Sequence, residues 1–269
     1  MTGQHAIIDT HAHYDHRRFA DDRDALLSGL PGRGVARALN VGSDIKSSEA
    51  SVKLAAEYPH VYASVGVHPH CAGVFADESN LERLRALAAS PKVAAYGEIG
   101  LDFHRNFSEP RMQRVWFEKQ LALACELGLP VIVHSREAAE EVFGIIARSG
   151  ARRGVIHSFS GDAALALRYV ALGFHIGVGG VATFKNAGAL REVCAEVPLD
   201  KILLETDCPY LAPHPHRGGR NDSTLLPLVA EAVAAARGVS AEEVRRATTA
   251  NAARLFGLGL AGEAAPGAI

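Results

Sequence analysis

Six residues of types that hold metal ions, His11, His13, Glu98, His134, His157 and Asp207, each stand at or near the end of a short apolar run. Those runs recur roughly every 25 to 35 residues, the repeat of successive βα units in a parallel barrel. A barrel carries the C-terminal ends of all its strands on one face, so residues distant in sequence converge in one mouth. The chemistry such a mouth performs is metal-dependent hydrolysis.

Each piece has an ordinary alternative. In Asp9-Thr10-His11-Ala12-His13, positions i and i+2 at a strand end point to the same side, so both imidazoles aim into the mouth. Glu98 lies between Gly97 and Gly100, which leave a carboxylate room to bridge two cations; a core Glu–Arg pair is the other reading. No lysine occupies this strand end, which weighs against the carbamylated lysine of phosphotriesterase-type barrels. His134 closes Val131-Ile132-Val133 and His157 closes Val155-Ile156. One such histidine reads as a core residue, whereas two on successive strands read as ligands. Asp207 ends a dense apolar strand, where an unpaired carboxylate would carry a large desolvation cost that a cation answers. Four histidines and two carboxylates suit Zn, Mn or Mg ions, and six ligands exceed what one zinc takes. Two divalent metal ions are therefore expected.

The elements that must position these residues follow from the pattern. Apolar, β-branched runs at 6–13, 36–42, 61–68, 93–100, 130–135, 154–160, 175–181 and 202–207 read as eight strands buried on both faces. Helical spacing predicts helices over 43–58, 111–127, 137–149, 162–172, 187–195 and 224–237. A last helix over 241–256 starts behind Ser240, with Glu243 completing a capping box. The mixed-sign run from Arg17 to Asp24 reads as a solvated loop and helix start. The result is an α/β fold, a single (β/α)8 TIM barrel with an extra C-terminal helix, occupying 1–260 and followed by a disordered tail, 261–269.

Length and composition agree. The chain has 269 residues, near the roughly 250 of one such barrel, and no Pro/Gly/Ser-rich linker divides it. A strand begins by Ala6, leaving no room for a signal peptide, and no apolar run approaches the roughly 18 residues of a membrane span. A cytoplasmic protein without a membrane partner, monomeric or weakly oligomeric, is expected. Four cysteines without CxxC spacing read as free thiols, with Cys208 notable for adjoining Asp207. A formal net charge of −2 excludes the global basicity of a constitutive nucleic-acid binder. Two divalent ions would nevertheless make the mouth locally positive.

From Ile8 to Leu258 the sequence resembles the TatD family of metal-dependent deoxyribonucleases, within the amidohydrolase-like barrels. The resemblance rests on Asp9-Thr10-His11-Ala12-His13, Val65-Gly66-Val67-His68-Pro69-His70 and Gly97-Glu98-Ile99-Gly100-Leu101-Asp102. It continues through His134-Ser135-Arg136, His157-Ser158-Phe159-Ser160-Gly161, Glu205-Thr206-Asp207-Cys208-Pro209-Tyr210-Leu211 and Thr249-Ala250-Asn251-Ala252-Ala253-Arg254-Leu255-Phe256. It implies that His11, His13 and Asp207 hold one metal and His134 and His157 the other, with Glu98 shared. It also implies cleavage of DNA, often as a 3′→5′ exonuclease. Removal of D-amino acids from tRNA, or another ester or amide hydrolysis, is the alternative on the same ligands. One departure stands out: where the family usually continues Arg-Gly-Lys-Arg-Asn-Glu-Pro, this chain reads Arg217-Gly218-Gly219-Arg220-Asn221-Asp222-Ser223. One cationic contact is thereby lost, which should weaken substrate binding and spare the chemistry.

Glu98 and Asp207 are the expected catalytic residues, with Asp207 orienting the attacking water and shuttling its proton. His68, Arg136, Arg217 and Arg220 are the expected contacts to substrate phosphates, and His70 is a weaker candidate. His5, His16, His60, His104, His175, His214 and His216 read as structural or surface residues. A non-catalytic scaffold should have lost ligands, and all six are present.

Overall fold

The structure is a computed structural model that describes residues 6–105 and 107–259. His5 and the expected tail lie outside the described residues.

Eight strands stand side by side in the order they have in the chain. They are β1 (Ile7–Ala12), β2 (Val35–Val41), β3 (Val61–Val65), β4 (Val93–Asp102), β5 (Val131–Arg136), β6 (Gly154–Ile156), β7 (Phe174–Val178) and β8 (Ile202–Leu204). Every neighbouring pair is parallel. Just beyond β8 the chain returns to β1: Ala12 bridges Cys208, and the Asp207 amide donates to the His11 carbonyl at 2.9 Å. That contact closes the ring.

Parallel strands need crossovers, and helices supply them. They are α1 (Arg23–Gly29), α2 (Ile45–Glu57), α3 (Ala72–Phe75), α4 (Glu78–Ala88), α5 (Pro110–Glu126), α6 (Ala139–Ser149), α7 (Ala163–Ala171), α8 (Gly188–Glu196), α9 (Leu226–Arg237) and α10 (Ala241–Phe256). Two apolar layers result. One packs the strands against the surrounding helices, with Trp116, Phe117, Tyr169 and Phe174 among its largest fully buried side chains. The other gathers Ile8, Leu39, Ala95, Ile132, Val155 and Leu203 from six strands with Leu255 and Phe256 of α10. That second cluster fills the barrel, and α10 plugs the end opposite the mouth. Ser240 caps α10 as expected, accepting from the Glu243 amide at 3.1 Å.

The strands and the C-terminal helix match the expected architecture, with differences that have local causes. β6 and β8 stop earlier than expected because the backbone turns at the mouth. Ser158 (φ 45°) and Asp207 (φ 55°) both lie in the left-handed region, which ends the ladder. Helix α4 was not expected from the sequence: it is polar overall and fully buries only Asn80 and Leu84, with Leu81, Leu87 and Ala88 partly buried against the core. Asp77 starts it, its side chain accepting from the Asn80 amide at 2.9 Å. All four cysteines are free. No single helix among the described residues is long and apolar enough to cross a membrane.

Candidate metal centre

The six expected ligands meet at the mouth. His11 lies on β1 and His13 one residue past it; Glu98 is on β4, His134 on β5, His157 just past β6, and Asp207 just past β8. Their donor atoms form three overlapping groups, each within 4.8 Å: His11, His13 and Glu98; His11, His157 and Asp207; and His68, Glu98 and His134. Glu98 joins two of them, as expected of a bridging carboxylate. His11, His13 and Asp207 also lie together, with Nε2–Nε2 and Nε2–Oδ1 separations of 3.1, 3.8 and 3.4 Å, while His157 falls with His11 and Asp207 and His134 with His68 and Glu98. The His11 and His157 rings stack, 3.4 Å between centroids.

Close packing beneath Glu98 requires its flanking glycines. Gly97 (φ 146°) and Gly100 (φ 147°) adopt conformations that side-chain-bearing residues avoid. A Cβ at Gly97 would sit 2.5 Å from the Ile132 carbonyl oxygen, and one at Gly100 would collide with that of His134. The β4–β5 contact therefore holds Glu98 and His134 in register.

The imidazoles are arranged to offer lone pairs. His13 Nδ1 lies 2.9 Å from the Val41 carbonyl oxygen, which makes it the protonated nitrogen and turns Nε2 inward as an acceptor. His157 Nδ1 faces Glu205 Oε1 at 3.0 Å, and its Nε2 faces Asp207 Oδ1 at 3.9 Å. His134 Nε2 faces Asp102 Oδ2 at 3.2 Å, and its Nδ1 faces Glu98 Oε1 at 2.9 Å. Three histidines thus rest one nitrogen on an oxygen and aim the other at the centre, the arrangement found behind metal-bound imidazoles. His11 Nε2 and His13 Nε2 lie only 3.1 Å apart. Two inward lone pairs at that distance repel unless a proton or a cation sits beside them.

The charges balance on protons in the metal-free chain. Burial disfavours protonated His13, but Asp207 and Glu98 outweigh it and raise its pKa to about 9. Burial likewise opposes protonated His157, and Glu205 reverses it, to about 10. Glu98 is pushed up by burial yet held well below the usual carboxylate range by His68, His11 and His134. Asp207 is lowered too, against its burial, by His13 and His157. Ionised carboxylates packed against histidines that must otherwise carry protons fit divalent cations, which take the protons' place.

Two further carboxylates, not among the six expected ligands, join this network. Asp102, at the end of β4, is buried and holds both His134 and His70, the latter at 2.8 Å from His70 Nε2. Glu205 is equally buried, and its Oε1 also accepts the Ser158 amide at 2.5 Å. Both fall inside motifs already prominent in the sequence, but one lies four residues after Glu98 and the other two before Asp207. Only the fold shows what they touch. Asp9, behind them, accepts from Ser223 and Thr206 hydroxyls at 2.6 and 2.7 Å and ties β1 to the segment carrying Asp207.

The expected phosphate contacts are divided. A cleft of about 480 Å³ above the ligands is lined by His68 and Arg136, joined by Arg105, His16, Phe107 and Tyr210. Arg217 and Arg220 do not line it. Arg217 stacks over Phe184, 4.4 Å from the ring centroid, in a separate pocket with Lys185, Asn186 and His214. Arg220 is clamped by both oxygens of Asp22, at 2.7 and 2.6 Å. Its partner lies on the first crossover, which no reading of the loop alone reveals. His16, read as a structural or surface residue, lines the cleft, where its Nε2 lies 3.3 Å from the Tyr210 hydroxyl.

Comparison with known proteins agrees with this geometry. The family model described as TatD related DNase matches residues 8–257. An uncharacterized metal-dependent hydrolase, YabD of Bacillus subtilis, is 38% identical over 93% of this chain and 98% of its own length. The 3′-5′ ssDNA/RNA exonuclease TatD of Erwinia tasmaniensis is 39% identical over 90% of this chain and 96% of its own. The crystal structure of the TatD homologue YjjV from Escherichia coli superposes with a TM-score of 0.87 at 34% identity, covering 94% of this chain and 98% of that one. The barrel, the clustered ligands and these likenesses lead to one conclusion: the chain belongs to the TatD-related family and is a metal-dependent hydrolase.

Proposed function

We propose that this hydrolase cleaves phosphodiester bonds of single-stranded nucleic acid from the 3′ end, using two divalent ions held by His11, His13, Glu98, His134, His157 and Asp207. One observation carries the reading: donor groups that overlap at Glu98 lie at the floor of a cleft bearing Arg105 and Arg136. Among the described residues, neither arginine lies within the 4.0 Å of a carboxylate that defines a salt bridge. Both cations are therefore available to phosphate.

Divalent ions there would supply Lewis acidity, acidifying water toward a pKa of about 7 and neutralising phosphate charge. The rest falls to this chain's residues. Asp207 turns Oδ1 toward His11, His13 and His157 at 3.8, 3.4 and 3.9 Å, leaving its second oxygen to orient the attacking water and accept its proton. His68 accepts the His70 amide on Nδ1 at 3.1 Å, so its proton sits on Nε2. With that proton His68 acts as a donor and not as a metal ligand: Nε2 faces Glu98 Oε1 at 3.6 Å and the cleft, where it donates to a phosphate oxygen. Arg136 steadies the scissile phosphate, and Arg217, beside Lys185, takes a phosphate outside the central cleft. Arg220 holds the loop through Asp22 and does not touch substrate. Four free thiols and no single membrane-spanning helix among the described residues accompany a cytoplasmic setting.

The test offers the metal-reconstituted protein 5′-labelled single-stranded DNA and a D-aminoacyl-tRNA side by side, with a folded Glu98→Ala variant as control. A ladder shortening from the 3′ end, absent in the control, supports the proposal. Deacylation without shortening would move the function to tRNA proofreading. Shortening by the folded Glu98→Ala variant at the wild-type rate would remove the metal mechanism.

A further inference from the structure

Phe107 and Tyr210 are anomalous for aromatic side chains. They are 67% and 47% exposed, yet both line the cleft above the metal ligands. Single exposed aromatics are ordinary; a pair on the rim of one catalytic cleft is a surface of a particular kind. Neither position is slack. Ser108, next to Phe107, donates to the His70 carbonyl at 2.8 Å and accepts the Gly73 amide at 2.8 Å. The Phe107 ring stands edge-on to His70, with centroids 4.8 Å apart. Tyr210 is held by its amide to the Asp207 carbonyl at 2.9 Å and by Asn221 on its own carbonyl at 2.8 Å. Its ring meets His16 at 5.6 Å. Each ring is thus braced on one side and open on the other, five residues after Asp102 and three after Asp207.

We infer that Phe107 and Tyr210 form a base-binding rim on which unpaired bases flanking the scissile phosphodiester stack. The inference rests on the nuclease reading and names the side chains that would give it its preference for single strands. Arg105 and Arg136 in the same cleft fit a polyanion rather than a lipid or an apolar peptide. Every base has a π face, so stacking tolerates any sequence; within a duplex those faces are covered, so the rim selects single strands. A pinned Tyr210 backbone, and an anchored Ser108 beside Phe107, reduce the ordering cost of engagement.

Stacking contributes about 1–3 kcal/mol per base, so losing one ring should raise KM roughly 5- to 150-fold. The metal-loaded full chain, Phe107→Ala, Tyr210→Ala, Phe107→Tyr and Tyr210→Phe would be compared on decathymidylate. A decamer of abasic spacers with the same phosphates would serve as competitive inhibitor. The expected result is a KM increase in each alanine variant that exceeds any fall in kcat. The spacer decamer's Ki should stay near the wild-type value, and the aromatic replacements should restore KM. Unchanged KM in both alanine variants would overturn the inference, as would a parallel rise in spacer Ki, because the rim would then act on the backbone. Failure of the nuclease reading looks different: wild-type protein would hydrolyse bis(p-nitrophenyl) phosphate and leave decathymidylate intact, and the inference would fall with it.

Discussion

Replacing Glu205 by Gln tests whether the carboxylate behind His157 matters to the centre without touching any ligand. Glutamine keeps the volume, which Gly177 limits: a Cβ there would lie 2.5 Å from the Glu205 carboxylate. What changes is charge. In the native chain Oε1 lies 3.0 Å from His157 Nδ1 and 2.5 Å from the Ser158 amide. A neutral amide oxygen still accepts both protons, but the charge-assisted part, about 1.5–3 kcal/mol for such a contact, is reduced. It no longer increases the basicity of His157 Nε2. The expected loss is on the order of 10- to 100-fold in metal affinity, the range seen when carboxylates behind metal-bound histidines are replaced. Zinc competition against a chromophoric chelator measures the affinity, and circular dichroism confirms the fold. Nuclease activity at saturating metal should recover most of the wild-type rate, since no reacting group has changed. A well-folded Glu205→Gln protein that binds zinc as tightly as wild type would refute the reasoning and reduce Glu205 to a helper of the Ser158 turn.

Other outcomes follow from the same geometry. Gly100→Ala forces a side chain into a left-handed position against the β5 backbone; it should cost about 1–3 kcal/mol in a urea titration and lower the bound metal, whereas an unaltered midpoint would contradict the packing argument. Metal at 1,000 times its Kd stabilises the folded state by about 4 kcal/mol, so chelation should lower Tm by roughly 8–16 °C, and an unchanged Tm would count against a metal centre. Arg136→Ala should raise KM for single-stranded DNA about 10- to 100-fold. Arg220→Ala should leave it within about 2-fold, because Asp22 and not substrate occupies that guanidinium; equal effects would reverse the division. His175 lies away from the centre, and burial with nearby Lys201 lowers its pKa from 6.5 to about 4. The unfolded chain takes up that proton first, so stability should fall as pH drops from 6.5 toward 4, by at most about 1.4 kcal/mol per unit before solvent screening. His175→Leu should flatten that part of the Tm–pH curve, and an unaltered slope would exclude the assignment.

Much of this protein can be read from composition and order alone. Eight apolar runs buried on both faces can only build a parallel sheet wrapped in helices, and a barrel brings their C-terminal ends together. His11, His13, Glu98, His134, His157 and Asp207 were therefore findable as strand-end polar residues that an apolar strand would not tolerate unpaired. Their convergence within 4.8 Å groups is the three-dimensional consequence of that pattern. Helix α4 escaped notice because it is polar overall, with few apolar residues to mark its buried face.

Tertiary structure alone decided everything that depends on which side chain meets which across the barrel. Asp102 and Glu205 met His134 and His157 only when the barrel placed imidazole and carboxylate within contact distance, from the adjacent strands β4 and β5 in one case and from the ends of β8 and β6, across β7, in the other. His157 came to stack on His11, although the two are far apart in the chain. Arg217 and Arg220 sit in one short loop, yet one stacks on Phe184 and the other is captured by Asp22. A long cationic side chain can sweep several ångströms, so its loop restricts where it starts and not where it ends. Strand ends are different, because a short side chain on a hydrogen-bonded strand has one direction in which to point. That difference in reach is why the six candidate ligands were legible in the sequence and the partners of Arg217 and Arg220 had to await the fold.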